Sequence, residues 1–156
     1  YLEHKFGSKM QAVEFYSTIE EQALELNLTI NFSSIKRTPN TINAHRLIHW
    51  AGLEHKQQKM IDELFNSYFC SAIDIGDHDA LCDIACKVGM DRDIVARLLN
   101  GDSDIELIKE RSAHSRKMGV TAVPTFIIAN QNVVSGSQTS ELWGRIINEL
   151  QEGSES

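Results

Sequence analysis

Apolar positions recur every three or four residues along most of the chain, a spacing that predicts a succession of amphipathic helices. Ala12, Phe15, Tyr16, Ile19, Ala23 and Leu26 mark the first, with Ser8 and Gln11 as a capping box and Asn27 as its stop. Leu28, Ile30 and Phe32 then alternate with Thr29, Asn31 and Ser33, which predicts a short extended segment. Residues 36–40 break the pattern. Pro39 pushes Thr38 out of the α region, and Asn40 or Thr41 caps a helix with Ala44, Leu47, Ile48 and Ala51 on one face and Gly52 at its end. A longer helix over residues 54–69 turns Met60, Ile61, Leu64, Phe65 and Tyr68 inward. Asp77 caps the next, with Leu81, Ile84, Ala85 and Val88 inward and Gly89 past its end. Asp91 caps another, with Ile94, Val95 and Leu98, closed by Gly101. Ser103 and Glu106 predict a capping box for a helix that reaches Lys117 or Met118.

The pattern changes at Gly119. Pro124, one of two prolines, stands directly before Thr125-Phe126-Ile127-Ile128, the most apolar short run in the chain. A turn at Asn130-Gln131-Asn132 and a second run, Val133-Val134, predict a β-hairpin. Pro124 falls at the start of its strand, where its missing N–H costs no ladder bond. Leu142, Ile146, Ile147 and Leu150 mark one last helix, before a polar tail. An isolated hairpin is marginal in water, and three consecutive apolar residues imply a strand covered on both faces. Two strands and one helix do not supply that cover, so further structure is expected against it.

Composition narrows the classes. The 156 residues carry a formal charge of −7 and a pI near 5.3, which argues against nucleic acid or an anionic membrane as partner. No apolar run approaches the roughly 20 residues of a membrane helix. The sequence opens on Tyr1 without Met, so the natural start is expected upstream. Cys70, Cys82 and Cys86 are an odd count without disulfide-scaffold spacing, which favours a reducing, cytoplasmic setting.

Candidate chemistry is sparse. Cys82 and Cys86 lie one turn apart on a predicted helix, with His78 a turn earlier; a structural zinc site wants a fourth ligand, so the expectation is small buried thiols and no metal. Cys70, beside Phe69, is expected in the core. His45 and His49 lack the Glu of the zinc-protease pattern and are expected at the surface or in packing. Asp74, Asp79 and Asp83 read as a solvated acidic face, and Arg37 as a surface charge rather than an anion site. That leaves the proline loop. With a trans bond, Val123-Pro124 merely stiffens a strand entry. With a cis bond, it turns the Val123 backbone outward to pair with an extended peptide or with glutathione.

Resemblance separates these alternatives. The series Gly119-Val120-x-x-Val123-Pro124-x-Phe126, a short hairpin, then Val134-Ser135-Gly136-x-Gln138 and a helix resembles the C-terminal half of a thioredoxin fold. Upstream, Arg37-Thr38-Pro39-Asn40-Thr41, Ala44-His45-Arg46-Leu47, Leu64-Phe65, Tyr68-Phe69 and Asp74-Ile75-Gly76-Asp77 resemble the helical insertion of the DsbA-like subfamily that includes the FrnE-type dithiol–disulfide isomerases. Tyr1-Leu2-Glu3 and Lys5-Phe6-Gly7 fit the lead into that insertion.

The resemblance implies a mostly helical α/β, thioredoxin-like fold with a large helical insertion. Residues 1–39 would be a lead-in helix and extended segment, 40–118 the insertion, 119–151 the hairpin and last helix, and 152–156 a tail. It also exposes a gap. Members open with a strand, a Cys-x-x-Cys turn on a helix N-terminus and a second strand, and no Cys-x-x-Cys occurs here. The N-terminal β-α-β part is therefore expected to be missing from these residues, and with it every catalytic residue.

The implied function is the substrate side of a thiol–disulfide oxidoreductase, with no cofactor and a thiol or disulfide peptide, or glutathione, as substrate. Val123 and Pro124 would shape the peptide-binding loop, Gly136 and Gln138 the nearby cleft, and the helices a lid. The alternatives are a glutathione-dependent isomerase or transferase, of the 2-hydroxychromene-2-carboxylate isomerase or kappa-class kind, and a non-enzymatic helical interaction module. Pairing of exposed hairpin edges would allow a homodimer.

Overall fold

The computed structural model describes residues 7–128 and 132–153. The lead-in at residues 1–6, the Asn130-Gln131 part of the expected turn and residues 154–156 of the expected tail lie outside them. The chain divides into two compact units, Tyr1–Lys109 and Glu110–Ser156.

The first unit is helical: α1 (Lys9–Glu25), α2 (Ile42–Leu53), α3 (Gln57–Phe65), α4 (His78–Lys87), α5 (Arg92–Asn100) and the start of α6 (Ile105–Lys117). Local signals set the helix starts where a short polar side chain was available. Ser8, Asp77 and Asp91 each accept a backbone N–H three residues on, from Gln11, Ala80 and Ile94. At α2 the division of labour is unusual: Thr41 occupies the cap position, but the Asn40 carboxamide accepts the Ile42 N–H at 3.1 Å. The Ser103–Glu106 capping box does not form. Asp104 turns left-handed (φ 62°) just before Ile105, and Glu106 binds Lys109 Nζ instead.

Four helices end in the same backbone motif, in which two N–H groups past the end reach back to the last turn's carbonyls. Gly89 and Gly119 supply the left-handed residue after α4 and α6. After α1 it is Asn27, as expected. After α2 it is His55 (φ 58°) and not Gly52, which lies inside the helix. Gly101, after α5, is extended (ψ 178°), so its glycine serves no left-handed turn.

The core of this unit gathers Ala44, Leu47, Trp50 and Ala51 from α2, Met60 and Leu64 from α3, Leu81, Cys82, Ile84 and Ala85 from α4, and Val95 and Leu99 from α5. Phe65, expected inward, is 59% exposed. It stands one residue past Leu64, off the buried Met60–Leu64 face; after it the helix widens into a π-turn over Asn66–Cys70, at whose end Cys70, expected in the core, is exposed as well. Residues 28–31 form no strand. The Asn31 N–H binds the Phe69 carbonyl (2.7 Å), and Phe32, in a 3₁₀ turn, packs its ring between Tyr16 (4.6 Å) and Phe69 (6.0 Å).

Arg46 is the one large cation in that core, with 1% of its surface exposed. Its guanidinium donates to the carbonyls of Leu98, Leu99, Gly101 and Ser103 and to Asn43 Oδ1, and lies over the Trp50 ring at 4.9 Å. Helix ends leave carbonyls without intrahelical partners, and the negative end of the helix dipole favours a cation there. Arg46 meets both needs for α5. Trp50 Nε1 fixes the Asp104 carboxylate at 2.8 Å, which also faces Arg46 electrostatically.

In the second unit, β1 (Thr125–Ile128) and β2 (Asn132–Ser135) pair antiparallel, Thr125 opposite Ser135 and Ile128 opposite Asn132. Helix α7 (Ser140–Gly153) follows, and its Trp143 packs edge-on against Phe126 at 4.8 Å. Among the described residues these two strands are the whole sheet. No described helix is long and apolar enough to cross a membrane.

Candidate functional site: the proline loop

Helix α6 hands the chain to the hairpin through Gly119, whose φ of 87° suits a residue without Cβ. The Gly119 and Val120 N–H groups close the helix on Arg116 and Ser115. The Thr125 hydroxyl then donates to the Ala122 carbonyl at 2.6 Å and fixes the loop's exit. Between these anchors lies Val123, 86% exposed, joined to Pro124 by a cis peptide bond.

Of the four residues singled out from the sequence, Val123 and Pro124 enter the hairpin, and Gly136 and Gln138 leave it. The strand register sets Pro124 against Gly136, and the Gly136 N–H donates to the Pro124 carbonyl at 2.8 Å. Gly136 sits at φ 82°, a conformation that an L side chain strains, so its glycine is required by the backbone. Gln138 folds back, its Nε2 donating to the Ser135 carbonyl at 2.8 Å. Thr139 then starts α7 by accepting the Leu142 N–H on its hydroxyl. The Pro124 carbonyl is thus engaged internally, whereas the Val123 N–H and C=O have no hydrogen-bond partner among the described residues. Valine here offers a solvent-facing donor and acceptor pair at the mouth of a strand.

Thr125, Thr139 and Trp143 were not anticipated. The hydroxyls cap a loop and a helix that had been placed only by their apolar residues, and Trp143 stands between the expected inward positions Leu142 and Ile146. Phe126 and Ile127 remain partly exposed, as do Val133 and Ile147.

The other candidates scatter. Cys82 is 2% exposed, and burial pushes its thiol above the ordinary 9.0, partly opposed by Arg92. Cys86 and Cys70 are exposed and free. His78 Nε2 binds the Asn43 amide nitrogen at 2.8 Å. Among the described residues no three His, Cys, Asp or Glu side chains are arranged to hold a metal. Arg92 bridges Asp83 (2.9 Å) and Asp79 (3.7 Å) across the acidic face.

A hairpin entered through a proline loop and followed by a helix is the C-terminal arrangement of the thioredoxin-like class, and the helices ahead of it are an insertion into that class. The comparisons narrow the class to a family. Residues 3–147 match the model of the DSBA-like thioredoxin domain, and the chain belongs to that family. It is 27% identical over 136 residues to the uncharacterized protein YwbO of Bacillus subtilis (strain 168), covering 86% of this chain and 68% of that protein. It also superposes on the crystal structure of the probable DsbA oxidoreductase SCO1869 from Streptomyces coelicolor with a TM-score of 0.82, at 23% identity, over 95% of this chain. The chain spans 64% of that protein's length. At such identity the likeness establishes the fold.

Proposed function

We propose that this chain is the substrate-binding part of a thiol–disulfide oxidoreductase of FrnE type, and that the loop at Val123-Pro124 receives an extended peptide beside its disulfide. The observation that carries the proposal is the exposed Val123, whose backbone N–H and C=O have no partner among the described residues, held at the edge of a strand by the Pro124–Gly136 hydrogen bond. An extended peptide satisfies both groups by adding to the strand, an interaction that needs no particular side chain and therefore suits varied disulfide substrates. Gly136 and Gln138 form the neighbouring wall.

Disulfide exchange requires a thiolate activated at a helix N-terminus and a resolving thiol nearby. The three cysteines do not form such a pair, and Cys82 is held protonated by burial. In this proposal the redox thiols come from outside these residues, no cofactor or metal takes part, and the protein works in the cytoplasm. The chain alone is expected to give no insulin reduction with dithiothreitol above the uncatalysed rate; clear turnover would overturn the assignment of the thiols. A glutathione-using relative is distinguished by the same loop, since it would bind glutathione in preference to an extended peptide of equal length.

A further inference from the structure

The first unit contains a cleft of about 690 Å³ between the 3₁₀ turn with the residues after it and the π-turn with the residues after it. Its volume falls in the range of small-ligand sites. Its walls mix apolar surface with charges of both signs: Ser33, Ser34, Ile35, Lys36 and Arg37 on one side, Tyr68, Ala72 and Asp74 on the other. The walls are tied together. The Tyr68 hydroxyl donates to the Arg37 carbonyl at 3.3 Å, and the Asn31 N–H binds Phe69. Asp74 Oδ1 is held by the Gly76 N–H at 2.9 Å, while among the described residues Oδ2 has only Arg37 at 3.9 Å, outside hydrogen-bond reach.

The sign pattern selects a ligand. Lys36 and Arg37 against Asp74 leave one net positive charge, which suits a single carboxylate and not a phosphate dianion, whose second charge Asp74 would repel. The underused Asp74 Oδ2 then faces a donor next to that carboxylate. A peptide C-terminus has both groups, a carboxylate and, one bond away from its Cα, a backbone N–H. The Tyr68 ring gives the last side chain an apolar surface to lie on.

We propose that this cleft binds the C-terminal end of a peptide, its carboxylate on Lys36 and Arg37 and its last backbone N–H on Asp74. The site does not depend on the function proposed for the proline loop, which lies in the other unit. The test is an amide chemical-shift titration of the full chain with acetyl-Ala-Phe as the free acid, with the same peptide as its C-terminal amide, and with inorganic phosphate. The free acid is expected to give saturable shifts within residues 33–37 and 68–74, and Arg37→Ala to weaken it by about tenfold, the value of one charge-assisted hydrogen bond. The Arg37 side chain is 81% exposed, so that variant keeps the fold. Asp74→Asn, which keeps the acceptor on Gly76, is expected to weaken the acid less than Arg37→Ala does. Equal shifts from the amide, equal shifts from phosphate, shifts confined to the proline loop, or an affinity unchanged in Arg37→Ala would each overturn the proposal.

Discussion

Arg46 serves four backbone carbonyls and one carboxamide with a single planar group, and its sequence neighbours give no hint of this. Its partners lie 52 to 57 residues away, apart from Asn43. Replacing it with Met leaves one buried and several part-buried acceptors without their donor, each at a cost of about 1–3 kcal/mol when water cannot reach it, so a loss of about 3 kcal/mol is expected in urea unfolding. Arg46→Lys should recover little of this, because an ammonium cannot span the same fork of acceptors. The cysteines give a second test at this scale. Cys70 and Cys86 are exposed and should react with a thiol reagent in the native chain, whereas Cys82 should react only on unfolding. Burial raises the Cys82 pKa above its unfolded value, so its stabilising contribution is complete below about pH 9 and is lost as the pH climbs toward the folded value. Chain stability should therefore fall above pH 9, and less steeply in Cys82→Ala.

At the scale of elements, the signals that proved legible are local ones. Ser8, Asp77 and Asp91 each bond to a backbone group three residues on, and Gly89 and Gly119 each close the turn before them, so a few residues contain the whole interaction. At residues 28–32 the sequence pattern misled because a distant contact intervenes. Leu28, Ile30 and Phe32 alternate like a strand, yet Phe32 is held by Tyr16 and Phe69 and no neighbouring strand is present among the described residues to pair with them. Phe65 lies one residue past Leu64 and so falls off the buried Met60–Leu64 face, whereas Cys70 ends a π-turn, whose extra backbone a regular 3.6-residue period does not count. Gly52 looked like a helix end, but the left-handed residue is His55. Replacing His55 with Gly removes the steric penalty of φ 58° and should stabilise the first unit by about 0.5–1 kcal/mol in urea unfolding, after the entropic cost of glycine. The opposite is expected at Gly136→Ala, which should cost about 1 kcal/mol or more and loosen the hairpin's amide-exchange protection.

At the scale of the whole molecule, family and fold were readable in the order of motifs, and the family's model matches residues 3–147, which span both the helical insertion and the proline loop with its hairpin. The Pro124–Gly136 bond joins the two ends of the hairpin, with Val123 next to it in the chain and the Gln138 amide folded back on Ser135. What the sequence could not show was which backbone groups remain open, since that depends on the cross-strand pairing. The account turns on the openness of Val123. Its most direct test is amide exchange of residues 120–123 and 125 in the free chain and with a saturating extended peptide that carries a mixed disulfide. The Val123 amide should exchange fast in the free chain and slow by about tenfold or more when the peptide is bound, as one new hydrogen bond requires. A peptide that binds while the Val123 amide exchanges as before would contradict the assignment of this loop as the substrate-binding edge.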